Sequence, residues 1–238
     1  MRAESLRHGW IAGGVLTLAA ALIGCMSDNA AAAAKTATSA ADERCAFGAF
    51  VQEDDPAGLN VRAAPSTAAR ILGTLPPSST AADNPGFAVR IELDVLGQRD
   101  GWFHVGHARD NEQLTGRPAR KLYAGDGWVS GRKLTIKSQA TAGRAAPEAG
   151  APVTLALESG DSLDGDAIVA ATRLVACRGG WAEIELDVAR LPDDVRAQLK
   201  LAPAAKGATA ARPRAWVDRI CGVQETTCDG QAGAQAAP

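Results

Sequence analysis

The sequence predicts an all-β protein made of two small units in tandem. The first reason is strict alternation in Val89-Arg90-Ile91-Glu92-Leu93-Asp94-Val95-Leu96. Val89, Ile91, Leu93 and Val95 fall on one face of an extended chain, with Arg90, Glu92 and Asp94 on the other. The second is a hairpin signal that occurs twice, as Gly101-Trp102-Phe103-His104-Val105 and as Gly180-Trp181-Ala182-Glu183-Ile184. The third is composition. The 238 residues hold 25 Gly and 12 Pro with only 4% aromatics, which suits turn-rich β units better than one large core. A net charge of −2 gives no basic face for nucleic acid. No segment reaches the roughly 20 apolar residues of a membrane span.

The N-terminus reads as an address. Arg2, Arg7 and His8 make a basic start opposed by Glu4, and Ile11 to Ile23 is a run of apolar and small residues. That run is too short to span and fits a secretion signal. It ends Leu22-Ile23-Gly24-Cys25, which resembles a lipoprotein signal over residues 1–24. The resemblance implies cleavage before Cys25, diacylation of Cys25, and export to the cell envelope on a lipid anchor. Met26 and Ser27 follow with no Asp between, which in enterobacterial-type sorting points to the outer membrane, facing the periplasm. Residues 25–44 are Ala-rich and read as a tether.

The first folded unit is expected over residues 45–137. Leu59 and Val61 alternate with Asn60 and Arg62, then Pro65 ends the strand, because it has no ladder N–H and holds Ala64 extended. Ile71 to Leu75 is apolar again, and Pro76-Pro77 breaks the chain. Asp100-Gly101 supplies the permissive backbone for the turn into Trp102-Phe103-His104-Val105. An insertion, Gly106 to Tyr123, carries Arg109, Arg117, Arg120 and Lys121 beside Asp110 and Glu112. Gly127-Trp128-Val129, a short helical turn and Leu134-Thr135-Ile136 close the unit. These landmarks in this order, from Leu59-Asn60-Val61-Arg62-Ala63-Ala64-Pro65-Ser66 through the two Gly-Trp strands, resemble a bacterial SH3 domain.

Residues 138–151 are Ala, Gly, Pro and polar side chains and read as a linker. A second unit is expected over 152–228. Val153 to Leu157 supplies its first strand, without the Asn-Val-Arg signature, and Ile168 to Ala176 is a second strand-like run. Arg178 to Ile184 repeats the Gly-Trp hairpin, and Arg214 to Ile220 repeats Gly127 to Leu134. Leu191, Val195 and Leu199 at intervals of four predict a short helix, with Pro192, Asp193 and Asp194 suited to its start. The unit is similar to a degenerate copy of the first. The resemblance therefore implies two small SH3-like β-barrels in tandem, with residues 229–238 as a disordered tail. Trp102, Trp128, Trp181 and Trp216 are the largest apolar side chains and read as core or half-buried β face.

Catalytic constellations are not found. Papain-like cell-wall peptidases carry bacterial SH3 domains and need a reactive Cys with a His, yet no His follows His107. No Gly-x-Ser-x-Gly elbow, phosphate loop or His-Glu-x-x-His helix occurs. His104 and His107 have a ligand-like spacing, but one lies on a strand and the other in a turn, with no Cys pair beside them. The reading is a non-enzyme with no metal and no cofactor. Recognition remains: the resemblance implies peptidoglycan peptides or other envelope polymers as ligands. The candidate ligand-binding residues are Arg62, Trp102, His104, Arg117, Arg120, Lys121 and Tyr123. The alternative partner is another envelope protein, with this chain as inhibitor, immunity lipoprotein or assembly factor.

With Cys25 lipidated, Cys45, Cys177, Cys221 and Cys228 remain, and an even number in an exported chain suggests disulfides. Four thiols allow three pairings. An antiparallel hairpin with Ile184 opposite Trp216 would bring Cys177 and Cys221 within the roughly 5.5 Å Cα separation a disulfide needs, leaving Cys45 for Cys228. The rival is a local Cys221–Cys228 loop with Cys45–Cys177.

The lipid anchor is directly testable. Cys25→Ser is expected to move the protein from the membrane fraction to the soluble one. Membrane retention of the variant without detergent extraction would mean another anchor.

Overall fold

A computed structural model describes residues 42–202, 209–224 and 228. The expected signal over 1–24, Cys25, the expected tether up to residue 41 and the expected tail 229–238 lie outside the described residues. Strands account for 43% and helix for 12%, so the all-β class stands. The strands form sheets of seven, six and two strands, none closed into a barrel.

The first half runs β1 (Glu43–Val51), β2 (Leu59–Arg62), β3 (Ile71–Leu75), β4 (Ser79–Thr80), β5 (Ala88–Val89), β6 (Glu92–Arg99) and β7 (Trp102–Arg109). The short helix α1 (Glu112–Thr115), β8 (Gly127–Ser130), a 3-10 turn at Gly131–Lys133 and β9 (Leu134–Thr135) complete it. Its sheet order is β3-β2-β8-β7-β6-β1-β9, with β4 and β5 forming the two-stranded sheet. The alternation around β6 behaves as expected on its apolar side, where Val89, Ile91, Leu93 and Val95 are fully buried. Its polar side is not solvated. Arg90 and Glu92 are buried too, because Gln224 lies across them. The Gln224 amide accepts from the Arg90 backbone N–H (3.0 Å) and donates to the Arg90 carbonyl (2.8 Å), while Gln224 N–H donates to Glu92 (3.1 Å).

The second half runs β10 (Ala142–Arg144), β11 (Val153–Leu157), α2 (Asp166–Ala171), β12 (Thr172–Arg178) and β13 (Trp181–Leu186). A 3-10 turn at Val188–Arg190, α3 (Asp193–Ala197), β14 (Leu199–Leu201) and β15 (Arg214–Val217) follow. Its sheet order, β12-β13-β15-β10-β11-β14, repeats the order β6-β7-β8-β2-β3 of the first.

That repeat corrects the reading of residues 138–151. They are not a linker. They hold β10, with Ser138, Ala140 and Ala151 buried, and they carry Arg144-Ala145-Ala146-Pro147, which matches Arg62-Ala63-Ala64-Pro65. The two loops close alike. Arg62 Nη1 donates to the Ala69 carbonyl and Arg144 Nη1 to the Ala151 carbonyl, each at 2.9 Å. Ala63 N–H donates to Arg70 and Ala145 N–H to Pro152, again each at 2.9 Å. The first strand of the second half is therefore β10, and Val153 to Leu157 corresponds to β3. Gly143 replaces Val61 because a side chain there would come within 2.4 Å of Ala215 Cβ.

Smaller expectations shift as well. Ile168 to Ala171 lies in α2, and only Thr172 onward is strand. The expected helix at Leu191 to Leu199 shrinks to Asp193–Ala197, after which Leu199 joins β14 against Leu157. Trp128 is 9% exposed, whereas Trp102 is only half-buried and borders the clefts described below.

The halves share one core. A single cluster of buried side chains runs from Phe47, Leu93 and Phe103 to Leu174, Ile184 and Val217. β12 packs on β1, β9 and the Gly131 turn. A Cβ at Gly131 would meet the Leu174 carbonyl at 2.6 Å, so only glycine permits that approach. Thr135, fully buried, donates its hydroxyl to the Val169 carbonyl (2.6 Å), and Gln52 Nε2 donates to Ala170 (2.7 Å).

The disulfides are Cys45–Cys177 and Cys221–Cys228, with Cα separations of 5.9 and 5.2 Å. This corrects the favoured Cys177–Cys221 and Cys45–Cys228 pairing, for two reasons. The hairpin register differs by one, so Trp216 faces Glu183 and Ile184 faces Ala215. The chain then leaves the sheet after Val217, turning at Arg219 with φ +49°. Cys221 N–H donates to the Lys137 carbonyl (2.9 Å), which carries Cys221 away from β12. Cys45 instead runs beside the β12–β13 turn, where Ala46 N–H donates to Gly179 (2.9 Å) and Gly179 N–H to Arg44 (2.8 Å).

Non-reducing peptide mapping is expected to return Cys45 linked to Cys177 and Cys221 linked to Cys228. Loop-closure entropy predicts unequal values for the two bonds. Removing the first, with its 132-residue separation, costs about 5 kcal/mol, and removing the second, with a separation of 7, about 2 kcal/mol. Denaturant titrations of the Cys45→Ala/Cys177→Ala and Cys221→Ala/Cys228→Ala variants check this, and equal losses would contradict it.

Candidate functional site

Pairing builds the same row of side chains on both sheets. On the first, Arg62 of β2 faces Trp128 of β8, and Trp128 faces His104 of β7. On the second, Arg144 of β10 faces Trp216 of β15, and Trp216 faces Glu183 of β13. Directly opposed residues on neighbouring strands share a face of the sheet. The hairpins repeat as well, with Arg99 facing Trp102 and Arg178 facing Trp181. The first row is tightly joined. The His104 ring lies 5.2 Å from Trp128, the Arg99 guanidinium stands 5.6 Å over Trp128, and His104 Nε2 is 2.9 Å from Asp126. In the second row, burial pushes the Glu183 carboxyl above its ordinary value, with Arg214 opposing and Glu185 adding to the shift.

The predicted site residues divide. Arg62 and Trp102 come together in one groove of about 340 Å³ that also includes Leu59, Thr67, Ser130 and Lys133. His104 lies two residues along β7 from Trp102, beside Trp128. The basic insertion does not converge on them. Arg120 is committed internally: it makes a two-armed ion pair with Asp110 (2.6 and 2.9 Å) and donates to the Pro77 carbonyl (2.6 Å). The Asp110 side chain is 1% exposed, so Arg120 fastens the insertion to the body of the first half. Tyr123 packs its ring over Gly73 and Gly125, where no Cβ would fit, and its hydroxyl reaches the Asp126 carbonyl (3.4 Å). Arg117 and Lys121 are exposed on the insertion. His104 and His107 hold different carboxylates, Asp126 and Asp94. Among the described residues no group of three His, Cys, Asp or Glu is placed to hold a metal ion.

A second set of residues is not among those the sequence singled out. Beyond Trp102 the groove continues into a cleft of about 370 Å³ between the two sheets, with Asp100, Arg132, Arg173, Glu185 and Arg214 on its walls. It extends into a smaller recess of about 140 Å³ with Gln52, Asp187, Arg190 and Arg212. Five arginines thus meet from the Gly131 turn, β12, the Val188 turn and the β15 region. Glu185, 4% exposed, holds three of them. Arg214 donates to it from Nε at 2.9 Å, Arg212 stands 3.5 Å away, and Arg173 is in direct contact. Arg212 also pairs with Asp187 (3.1 Å). Burial alone would push the Glu185 carboxyl up, but the hydrogen bond from Arg214 and the charges of Arg173 and Arg214 outweigh it and hold the group below its ordinary value. The legible trace was the alternation of Glu183, Glu185 and Asp187, and of Arg212 and Arg214, each at the strand period.

The two buried carboxylates set an acid limit. The hydrogen bond from Arg120 holds Asp110 below its ordinary value against an opposing effect of burial. A carboxyl with a depressed folded pKa contributes stability above its unfolded pKa, about 4, and loses it as pH falls through the folded value. Glu183, whose carboxyl is raised by burial, acts in the opposite sense, so the melting temperature is expected to hold or rise slightly from neutral pH to about 4.5 and to fall below about 4 as Asp110 and Glu185 are protonated. Arg120→Ala removes the counter-charge of Asp110 and leaves its carboxylate only the backbone N–H groups of residues 111 and 120; it is expected to cost about 2 kcal/mol at pH 7, with a weaker acid dependence. Thermal melts across pH check both, and an unchanged acid profile in the variant would remove Asp110 from this account.

No protein-family model matches the chain, and neither a curated protein nor a solved structure matches it.

Proposed function

We propose that this chain is a non-catalytic binding protein of the cell envelope, lipid-anchored through Cys25, whose two halves are SH3-like units in tandem that recognise peptidoglycan peptides. The observation that carries the reading is the duplicated Arg–Trp face together with a groove that passes the half-exposed Trp102. An extended peptide needs a long, open channel with an aromatic surface to lie on and polar groups at intervals. The groove offers this over both halves, from Leu59 and Arg62 past Trp102 and Ser130 to Arg132 and Arg173. The resemblance of the first half to bacterial SH3 domains supports a ligand of the wall. The repeat of strand order and of the Arg-Ala-Ala-Pro loop supports two copies of one unit.

The test is sedimentation of the full-length protein with purified sacculi. Retention is expected for the natural sequence. Trp102→Ala is expected to weaken it by about tenfold or more without lowering the melting temperature by more than a few degrees, since Trp102 is only half-buried. No retention of the natural sequence would remove peptidoglycan as the ligand and leave another envelope protein as the partner.

A further inference from the structure

The arginines of the inter-sheet cleft are more than its acids require. Arg132, Arg173, Arg190, Arg212 and Arg214 stand against Asp100, Glu185 and Asp187 on the combined walls. The whole chain carries net charge −2, so this local positive excess is not a reflection of bulk composition. Three of the guanidiniums converge on Glu185, and one of these also meets Asp187. Arg132 and Arg190 are exposed, and their side chains make no hydrogen bond or ion pair among the described residues. Each guanidinium carries five N–H donors in a rigid fork and keeps its charge at all physiological pH values. Both border the same small recess, whose other charged walls are already neutralised in pairs. Like charges held together in a partly enclosed site raise the local potential and draw an anion in.

We infer that this recess is a carboxylate-binding site, in which Arg132 and Arg190 receive a carboxylate of the ligand while the rest of the ligand lies along the cleft toward Trp102. The choice of a peptide carboxylate rests on the envelope-peptide reading, since the anionic groups of such peptides are carboxylates. A guanidinium fork matches a planar carboxylate with two parallel N–H···O bonds. Glu185 shows that this cleft already holds one carboxylate among guanidiniums, as a fixed part of the wall. The recess of about 140 Å³ admits a terminal group, not a sugar chain. The site gives the groove a direction, with an aromatic end at Trp102 and an anion-receiving end at Arg190.

The experiment is isothermal titration of the full-length protein with N-acetyl-alanyl-alanine, with its C-terminal amide, and with inorganic phosphate. The free acid is expected to bind saturably and at least about tenfold more tightly than the amide. Arg132→Gln/Arg190→Gln is expected to abolish that preference with an unchanged melting temperature, since among the described residues neither side chain makes a hydrogen bond or ion pair to a protein acceptor. Lys200→Gln, exposed on β14 and lining neither cleft, is expected to leave it intact. Equal binding of acid and amide, or a preference that survives in the double variant, overturns the site. Phosphate binding as tight as the free acid and lost in the same variant overturns the carboxylate class. The sacculus assay keeps the two readings apart. Free-acid binding without sacculus retention retains the site and removes the peptidoglycan reading; retention undisturbed in the double variant does the reverse.

Discussion

The close approach of β12 to the turn at Gly131 is the constraint on which the arrangement depends. Each sheet is open, and the two share one cluster of buried side chains. β12 joins them by lying against β1, β9 and Gly131, and the Leu174 carbonyl stands where any side chain at residue 131 would be. Units of this length bury only a modest fraction of their surface alone. Sharing one core removes that deficit and makes the two halves a single cooperative object. The buried polar links, Thr135 to Val169 and Gln224 to Arg90, then fix the register of the seam, since each would leave an unsatisfied buried group if the halves slid.

Strands with a single strong period were legible from the sequence. β6 and β7 declared themselves through Val89 to Val95 and Gly101 to Val105, and their turn at Asp100-Gly101 has the positive φ that the residue types promise. β10 did not, because its apolar positions are Ala142 and Gly143. A strand made of small residues has the composition of a linker, and only the crowding against Ala215 explains why it must be small. The cysteine pairing failed on a quantity that composition does not carry: a one-residue register and a turn at Arg219 decide which thiols meet. The basic insertion looked like a site because its charges are adjacent in the chain. The arginines that do converge come from segments scattered between residues 132 and 214, and adjacency in space had no counterpart in sequence spacing.

The two copies have diverged where their faces could differ without disturbing the fold. Arg62 and Arg144 keep the same structural duty, closing a loop by one hydrogen bond. The third position of the row has changed from His104 to Glu183. His104 has a carboxylate partner in Asp126, while burial makes ionisation of Glu183 costly. The copies therefore present different side chains from one scaffold.

The Cys45–Cys177 bond lies close to where the described chain begins, and this has a mechanical consequence. Tension transmitted from the residues before Asp42 reaches Cys45 almost at once. The covalent bond passes it directly to β12, so both sheets take the load together. Without that bond the same pull would run along β1, which is paired to β6 from Glu43 to Phe50, and would be borne by hydrogen bonds loaded in shear. With the proposed N-terminal anchor and the proposed groove both engaged, the chain would be stretched along this line, and Cys45–Cys177 would be the first covalent link between the two sheets to carry the load.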